Sequence, residues 1–344
     1  MIELVGNMHM HTVYSDGTAT HSQIAEAAAR AGLDFVVVTD HNVWVSGVAG
    51  YYENVLLLVG EEIHDCRRVP QANHLLVLGA ECEFALLAAN PQAVIDEANA
   101  RGALTFLAHV VERASRVANE GAFGWDDWDV TGYTGLEIWN YMSEFKARIP
   151  TVLHALRYAF APVAGIRGPF PEALNAWDQL LSSGHLVVGI GGADAHGNSY
   201  SLGPLRRTIF PYDYLFSAIN THLLIENPLT GDMAADQTAI FDALRNGRAW
   251  VGCDVLGSTR GFGFEAKSGL SAATVGGEIS RAAAVKLQVT TPMPGDIRIV
   301  GNGRVVARAS GRACQYLAAE AGAYRAEVYR GGKGWIFSNP IFVR

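Results

Sequence analysis

The chain has 344 residues, of which 49% are hydrophobic and 17% are charged, and its formal net charge is −8. This composition is typical of a folded protein with a large core and excludes a chain that is disordered throughout. The acidic balance also argues against a general nucleic-acid-binding protein, whose surface would be basic, and favours a small polar or metal-associated ligand.

Cysteine content and hydropathy indicate the compartment. The four cysteines are spaced too widely for a zinc knuckle and are too few for a disulfide scaffold, so we expect free thiols. No apolar run approaches the roughly 18 residues of a membrane-spanning helix, and the first residues lack the basic-then-apolar pattern of a signal peptide. We therefore expect a cytoplasmic protein that does not enter a membrane, although a signal peptide removed upstream would leave no trace.

The first two-thirds of the chain alternates apolar strands with amphipathic helices. In chain order the predicted strands are "MIELVGNMH", "LDFVVVTDH", "VLLLVGEEI", "HLLVLGA", "LTFLAHV", "GLEIWNY" and "HLVVGIGGADAHG". The predicted helices are "TATHSQIAEAAARAG", "NPQAVIDEANARGA", "PEALNAWDQLLSSG" and "DQTAIFDALRNGR". Alternation of this kind predicts parallel strands wrapped by helices, as a barrel or a doubly wound sheet.

From about Gly257 the pattern changes to short alternating segments separated by glycine and asparagine. The tetrapeptide "GNGR" at residues 301–304 is a strong hairpin signal. We therefore expect two domains, an α/β domain over residues 1–256 and a small antiparallel β-sandwich over residues 257–344.

The segment "HMHTVYSDG" places His9 and His11 two residues apart at the end of the first predicted strand, with Asp16 soon after. Alternate residues of a strand share a face, so one metal ion could bind both imidazoles. The pair alone is equally consistent with a solvated loop, because a short motif carries a false-positive risk.

Further candidates lie at or just after the ends of the other predicted strands: His41, Glu61 or Glu62, His74, His109, Asp194 and His196. Each histidine alone is more often a loop cap, a strand-edge residue or a satisfied core residue. Together they would be costly to bury on one rim without a cation, so the set predicts a metal site. Strand alternation also indicates that only one of Glu61 and Glu62 faces inward.

These motifs, in this order, resemble the PHP family (polymerase and histidinol phosphatase domain). "HMHTVYSDG" is similar to its first motif and "TDHN" to its second, and the segments "GEEI", "HLLVLG", "AHV" and "GGADAHG" are similar to its later ones. The match extends from His9 to Gly197. It implies a distorted (β/α)7 barrel with two or three divalent ions, which would be manganese, zinc or iron. With its C-terminal sandwich the chain also resembles a branch that includes carbaryl hydrolase-like enzymes.

The resemblance implies three ligand sets. His9, His11, Glu62 and Asp194 would hold one ion; Glu62, His74 and His109 a second; and Asp16, His41 and His196 a third. Glu62 would therefore be shared by the first two ions. A hydroxide that bridges the ions and is held by Glu62, Asp194, His9 and His11 would be the nucleophile, since divalent cations lower the pKa of bound water.

Substrate-binding candidates follow from charge and position. Arg167, Arg206 and Arg207 lie in predicted loops where a guanidinium could bind phosphate or carboxylate, but each is equally consistent with a surface arginine. Trp44 and Asn140 follow predicted strand ends and could shape the pocket.

We expect a metal-dependent phosphoesterase that acts on a small phosphorylated molecule, without an obligate nucleic-acid partner. The alternative substrate is a carbamate, carboxylic ester or amide, and the alternative of another class is an inactive, metal-stabilised binding module. Arginines directed at the metals would favour phosphate, whereas a mostly aromatic, uncharged pocket would favour a neutral ester. A homo-oligomer is compatible with the sequence.

Overall fold

The structure, a computed structural model, describes residues 1–202, 205–281 and 284–344. Within these residues the helices are α1 (His21–Ala31), α2 (Pro91–Ala100), α3 (Tyr141–Ala147), α4 (Val152–Phe160), α5 (Pro171–Leu181), α6 (Tyr212–Phe216) and α7 (Met233–Arg245). The strands of the first part are β1 (Ile2–Asn7), β2 (Phe35–Val38), β3 (Gly50–Tyr52), β4 (Val55–Ile63), β5 (Leu75–Leu78), β6 (Leu104–Leu107), β7 (Gly135–Asn140), β8 (Val188–Gly192), β9 (Ser199–Leu202), β10 (Leu205–Thr208), β11 (Ile219–Ile225) and β12 (Ala249–Cys253). Those of the C-terminal part are β13 (Gly263–Ser268), β14 (Ser271–Thr274), β15 (Glu278–Ile279), β16 (Val285–Gly301), β17 (Arg304–Ala318), β18 (Gly322–Arg330), β19 (Lys333–Ser338) and β20 (Ile341–Val343).

Most strands of the first part form one curved sheet in the order β12–β11–β1–β2–β4–β5–β6–β7–β8. The pairs β1–β2, β2–β4, β6–β7 and β7–β8 are parallel, as the sequence predicts. The pairs β4–β5 and β5–β6 are antiparallel. Residues 64–74 between β4 and β5 contain no helix, so no crossover carries the chain back for a parallel pairing.

The sheet closes on itself where its last strand, β8, approaches β11, the strand beside its other end. The hydroxyl of Thr221 donates a hydrogen bond to the carbonyl oxygen of Gly191 and accepts one from its amide, both at 2.9 Å. The sheet thereby surrounds a core of alternate strand residues, which includes Leu4, Phe35, Leu58, Leu76, Phe106 and Ile190. The mixed α/β fold class expected from the sequence is confirmed.

Side-chain alternation along β4 positions the central carboxylate. Leu56 and Leu58 belong to the enclosed core, and Glu62 has the same parity, so it faces the enclosed side at the end of the strand. Glu61 points to the opposite side, where its Oε2 accepts a hydrogen bond from the amide of Phe84 at 3.0 Å. The structure thus resolves the choice between the two glutamates by strand parity.

Helix α1 follows the first histidine motif and is fixed at both ends. Thr20 caps the N-terminus by accepting from the amide of Gln23, and the side chain of Gln23 accepts from the amide of Thr20. Gly32 ends the helix with a φ of 78°, a left-handed conformation that favours glycine. The end at Gly32 is the one that the sequence predicts, whereas the helix begins three residues after the start of the predicted segment at Thr18.

Among its described residues, the C-terminal part is β-rich and its strand pairs are antiparallel except for β15–β20, which is parallel. The hairpin β16–β17 turns at Asn302 and Gly303, whose φ angles of 49° and 73° match the left-handed geometry that the Asn-Gly pair predicts. The first half of β16 pairs with β13 and the second half pairs with β18, so this strand is shared by two groups of strands. This arrangement is consistent with the expected β-sandwich.

The C-terminal strands are joined to the first part by hydrogen bonding, since β19 pairs antiparallel with β12. All four cysteines are free, as expected. Among the described residues, no helix has both the length and the apolar character needed to span a bilayer.

Candidate metal centre

Glu62 lies at the centre of a group of imidazoles that come from separate strand ends. Its Oε1 is 2.8 Å from His74 Nδ1 and 3.0 Å from His109 Nε2. Its Oε2 is 3.1 Å from His9 Nε2, 3.2 Å from His11 Nε2 and 3.2 Å from His41 Nδ1. Both oxygens of one buried carboxylate are therefore directed at potential metal-ligating nitrogens.

The expected first ligand set is brought together. His9 and His11 follow β1, and Asp194 follows β8. The contact between Asp194 and the two histidines therefore joins two strands that are far apart in the order of the sheet. Asp194 Oδ1 is 3.4 Å from His9 Nε2 and 3.2 Å from His11 Nε2. One atom from each of His9, His11, Glu62 and Asp194 lies within 4.8 Å of the others.

The other two expected sets are also brought together. Glu62, His74 and His109 form one group, and His11, Asp16, His41 and His196 form another, with the same 4.8 Å limit. In the latter, Asp16 Oδ1 is 3.3 Å from His196 Nε2 and Asp16 Oδ2 is 3.7 Å from His41 Nε2. His11 therefore belongs to two groups, which the sequence did not predict.

A cation fits this arrangement on the evidence of its buried nitrogens. Both ring nitrogens of His11, Nδ1 of His41 and Nε2 of His74 are buried and make no hydrogen bond in the structure. Buried polar atoms without a partner are costly, and metal coordination would satisfy them. A donor set of imidazoles and carboxylates suits manganese, iron or zinc.

The electrostatics of the site reflect this close packing of opposite charges. Burial lowers the pKa of His11, but the nearby carboxylates of Asp194 and Glu62, each 3.2 Å from Nε2, outweigh it and raise the pKa to about 9. For Glu62, burial acts to raise the pKa, but the surrounding imidazoles hold it well below its usual range. The carboxylate is thus anionic and ready to bind a cation.

Not every imidazole gains a proton in this way. Burial, together with the charge of His11, lowers the pKa of His41 to about 3. Burial and the charge of His74 likewise lower the pKa of His64 to about 4. These two rings are neutral at pH 7, which is the protonation state that a metal ligand requires.

Glu137 holds two of the candidate ligands in place. Its Oε1 accepts from Nδ1 of His9 at 3.0 Å, which directs Nε2 of that ring toward Glu62, and its Oε2 accepts from the amide of His109 at 2.8 Å. A Cβ at Gly192 would lie 2.5 Å from Oε1 of Glu137, so this glycine is needed for the close approach. The spacing explains one glycine of the "GGADAHG" segment.

Two candidate ligands have a left-handed backbone, His109 with a φ of 27° and Asp194 with a φ of 54°. Such conformations cost about 1–3 kcal/mol each and persist where the surroundings impose them. The amide of His109 bonds to Glu137, and the amide of Asp194 bonds to the carbonyl oxygen of His9 at 2.9 Å. The strain is therefore held by residues of the site itself.

Several residues near the candidate metal centre were not predicted from the sequence. His64 stacks on His74 with ring centroids 4.2 Å apart and forms a further group with His41 and His74. Glu112 lies 3.2 Å from Nδ1 of His109. A charged residue inside the apolar strand "GLEIWNY" was a signal for Glu137, whereas His64 and Glu112 stand just beyond the recognised motifs.

The predicted substrate-binding residues have separate locations. Arg207 lines the cavity at the metal centre. Arg167, Arg206 and Trp44 are not among the described residues that line it. The guanidinium of Arg167 donates to the carbonyl oxygens of Ala164 and Ile166. Asn140 caps α3 and donates to Asp194 Oδ2 at 3.3 Å, so it contacts a candidate ligand.

The cavity has a volume of about 560 Å³ and is bounded on one side by the candidate ligands. Its other walls come from α3, α4, the loop around Phe123 and residues at β9 and β10, and they are mainly apolar. This volume lies within the usual range for a small-molecule site.

Comparison with known proteins gives one family match and several solved structures of low sequence identity. Residues 7–174 match the PHP domain. A two-domain protein from Bacteroides vulgatus that contains a predicted PHP-like metal-dependent phosphoesterase is 16% identical, with a TM-score of 0.48, 98% of this chain and 95% of that chain covered. A protein from Bifidobacterium adolescentis, assigned by prediction as a metal-dependent phosphoesterase, is 18% identical, with a TM-score of 0.32 and coverage of 58% and 90%. Endonuclease Q, in complex with a 27-mer duplex substrate with an abasic lesion, is 14% identical, with a TM-score of 0.39 and coverage of 72% and 56%. No curated protein matches the chain in sequence.

Proposed function

From the match of residues 7–174 to the PHP domain, we propose that the chain is a metal-dependent hydrolase, and specifically a phosphoesterase with a multinuclear metal centre. The observation that carries the proposal is the position of Glu62. Each of its oxygens faces a different group of imidazoles, two on one side and three on the other. This is the geometry expected of a carboxylate that bridges two cations.

The residues that would hold the ions are those expected from the sequence: His9, His11, Asp16, His41, Glu62, His74, His109, Asp194 and His196. Bound divalent ions supply an activated water and a Lewis acid for the substrate oxygen. The hydrogen bond from His9 Nδ1 to Glu137 fixes one tautomer, which leaves Nε2 free to bind an ion. His196 is fixed in the same way, because its Nδ1 lies 2.8 Å from the carbonyl oxygen of Asp194.

We further propose that residues 1–256 form the catalytic unit and residues 257–344 an accessory sandwich. The strand β12 ends at Cys253, and the candidate ligands all precede it. A cavity of about 560 Å³ next to the ligands supports a small-molecule substrate.

A neutral ester, carbamate or amide is the second candidate substrate. It is favoured by one observation, the mainly apolar wall of the cavity. The two candidates share the same metal centre, because phosphoryl and acyl transfer both use an activated water and a polarised oxygen.

The test is hydrolysis of 4-nitrophenyl phosphate and 4-nitrophenyl acetate by protein loaded with manganese or zinc, with its metal content counted. Turnover of the phosphate by the wild type would support the proposal if His9→Ala loses both turnover and bound metal. His185→Ala, at an exposed position, is the control and should retain both. Turnover of the acetate alone would favour the second candidate. No turnover of either ester by fully loaded protein would overturn both and favour a binding module.

A further inference from the structure

The cavity at the metal centre continues into an apolar chamber, which we define by Phe123, Met142, Phe145, Ile149, Leu156 and Phe160. The chamber begins directly at a candidate ligand. The ring of Phe123 is parallel to the imidazole of His74, with centroids 6.0 Å apart. A molecule with one end at the metal centre would therefore place its other end among these side chains.

The chamber is open to solvent at α4, where it leaves apolar surface uncovered. Phe160 and Val152 both line the cavity, and they are 58% and 51% exposed. Exposed apolar groups grouped in a concave site indicate a ligand that covers them.

The described cations of the cavity wall are already engaged. The ammonium of Lys146 is buried and forms ion pairs with Glu112 and with Glu120. The guanidinium of Arg207 lies over the ring of Phe160, 4.5 Å from its centroid. The chamber thus offers apolar contact to the substrate. Of the cations in its wall, Lys146 is paired with carboxylates and Arg207 packs on the exposed ring of Phe160.

We propose that the apolar chamber is the subsite for the alcohol part of the substrate, and that this alcohol is aromatic or a long alkyl chain. This inference rests on the proposed function, because it takes the phosphate to be the group at the metal centre. Affinity should then rise by about fourfold for each methylene that leaves water, the factor that corresponds to burial of one such group.

The probes are non-hydrolysable phosphonates of increasing apolar size: methyl-, butyl-, benzyl- and naphthylmethylphosphonate. Their binding to the manganese-loaded full chain is measured by calorimetry, and the matching carboxylates (acetate, valerate, phenylacetate and naphthylacetate) are measured in parallel. Leu156→Trp fills the chamber, and Leu153→Trp is its matched control on α4, since Leu153 is 75% exposed and lies outside the described cavity lining. Phe160→Ala, at an exposed position, provides a second variant that does not depend on repacking.

We expect wild-type affinity to increase along the series by at least tenfold from methyl- to naphthylmethylphosphonate. Leu156→Trp should remove most of this gain and leave methylphosphonate binding unchanged, Phe160→Ala should reduce it, and Leu153→Trp should retain it. Equal affinity for all phosphonates, or equal effects of the two tryptophan variants, would overturn the inference while leaving the phosphoesterase proposal intact. A size-dependent gain for the carboxylates with no phosphonate binding would overturn the phosphoesterase proposal and support an apolar subsite of an acyl hydrolase.

Discussion

Two adjacent glutamates in β4 show how position alone sets the chemistry of a residue. Burial raises the pKa of Glu61 to about 8, since the hydrogen bond from the amide of Phe84 only partly offsets it. The same strand places Glu62 among imidazoles, which hold its pKa well below the usual range despite burial. At pH 7 one carboxyl is therefore mostly protonated and the next one is an anion.

This contrast gives a matched pair of variants. Glu62→Gln removes the anion that faces five imidazole nitrogens, so we expect loss of bound metal and a fall in hydrolysis of at least 100-fold. Glu61→Gln replaces a mostly neutral carboxyl with a neutral amide of similar shape and should keep both within about twofold. Metal content by mass spectrometry and turnover of 4-nitrophenyl phosphate are measured on both proteins. Comparable losses in the two variants would contradict the assignment of Glu62.

Glu137 provides a second prediction at the residue scale. It accepts hydrogen bonds from His9 Nδ1 and from the amide of His109, so Glu137→Gln must present an NH₂ group to one of these donors. We expect metal affinity to fall by about 10- to 100-fold, the usual effect of losing a group that orients a ligand. The measurement is metal titration against a competing chelator. Unchanged affinity would show that Glu137 does not position the ligands.

The sequence predicted the site residues that belong to strand-end motifs and missed those that depend on register. His9 and Asp194 lie toward the C-terminal ends of predicted strands, whereas His74 precedes β5 and reaches the same rim because β5 runs antiparallel to β4. Glu137 contacts His9 only because β7 lies beside β8, and Gly192 leaves room between them. Such contacts require the packing of three chain segments, which no single segment encodes.

At the scale of elements, the longer helices α1, α2, α5 and α7 were predicted to within about three residues at each end, whereas the short helices α3 and α4 were not predicted. α3 begins at Tyr141, directly after β7, so no turn signal separates the strand from the helix. α4 is similarly short, with nine residues. The two helices missed in this way form the walls of the apolar chamber, so the sequence indicated the metal centre more fully than the substrate pocket.

The cap of α1 yields the prediction at this scale. Thr20→Ala removes the hydroxyl that accepts from the amide of Gln23, which should lower the free energy of unfolding by about 1 kcal/mol. Metal content and turnover should not change, because the folded site keeps its ligands. Urea unfolding in excess manganese measures the effect, and Glu26→Ala, at an exposed position of the same helix, is the control. A loss of metal in the folded Thr20→Ala protein would mean that the cap also positions the histidine loop.

At the scale of the whole molecule, a buried ion-pair cluster joins distant parts of the chain. His222 in β11 lies 2.7 Å from Glu3 through Nδ1 and 3.0 Å from Asp254 through Nε2. Burial lowers the pKa of His222, but the charges and hydrogen bonds of Asp254 and Glu3 outweigh it and raise the pKa above 6.5. The His222 ring therefore connects the first strand to the residue that follows β12.

The direction of this shift determines how stability depends on pH. Because the pKa is higher in the folded protein, the contribution of His222 is complete below about pH 6.5 and is lost as the pH rises through the folded-state pKa. The difference in unfolding free energy between the wild type and His222→Gln should thus be largest near pH 6 and shrink toward pH 9. Urea unfolding at both pH values measures it, and comparison with the wild type cancels the titration of the metal centre. A difference that grows with pH would contradict the assignment.

A buried arginine attaches the C-terminal strands to the first part of the chain. Arg325 in β18 is 2% exposed; its guanidinium forms two hydrogen bonds of 2.7 Å to Asp178 in α5 and one of 2.7 Å to Glu327. Arg325→Ala would leave Asp178 without its guanidinium partner in a mostly buried place, and Glu327 with the more distant guanidinium of Arg298 at 3.8 Å, at a cost of about 3–5 kcal/mol in unfolding free energy. Arg101→Ala removes an exposed pair with Glu97 and should have no measurable effect. Urea unfolding of both variants in excess manganese tests whether this buried contact, rather than surface charge, joins the two parts; equal stability of the two proteins would contradict it.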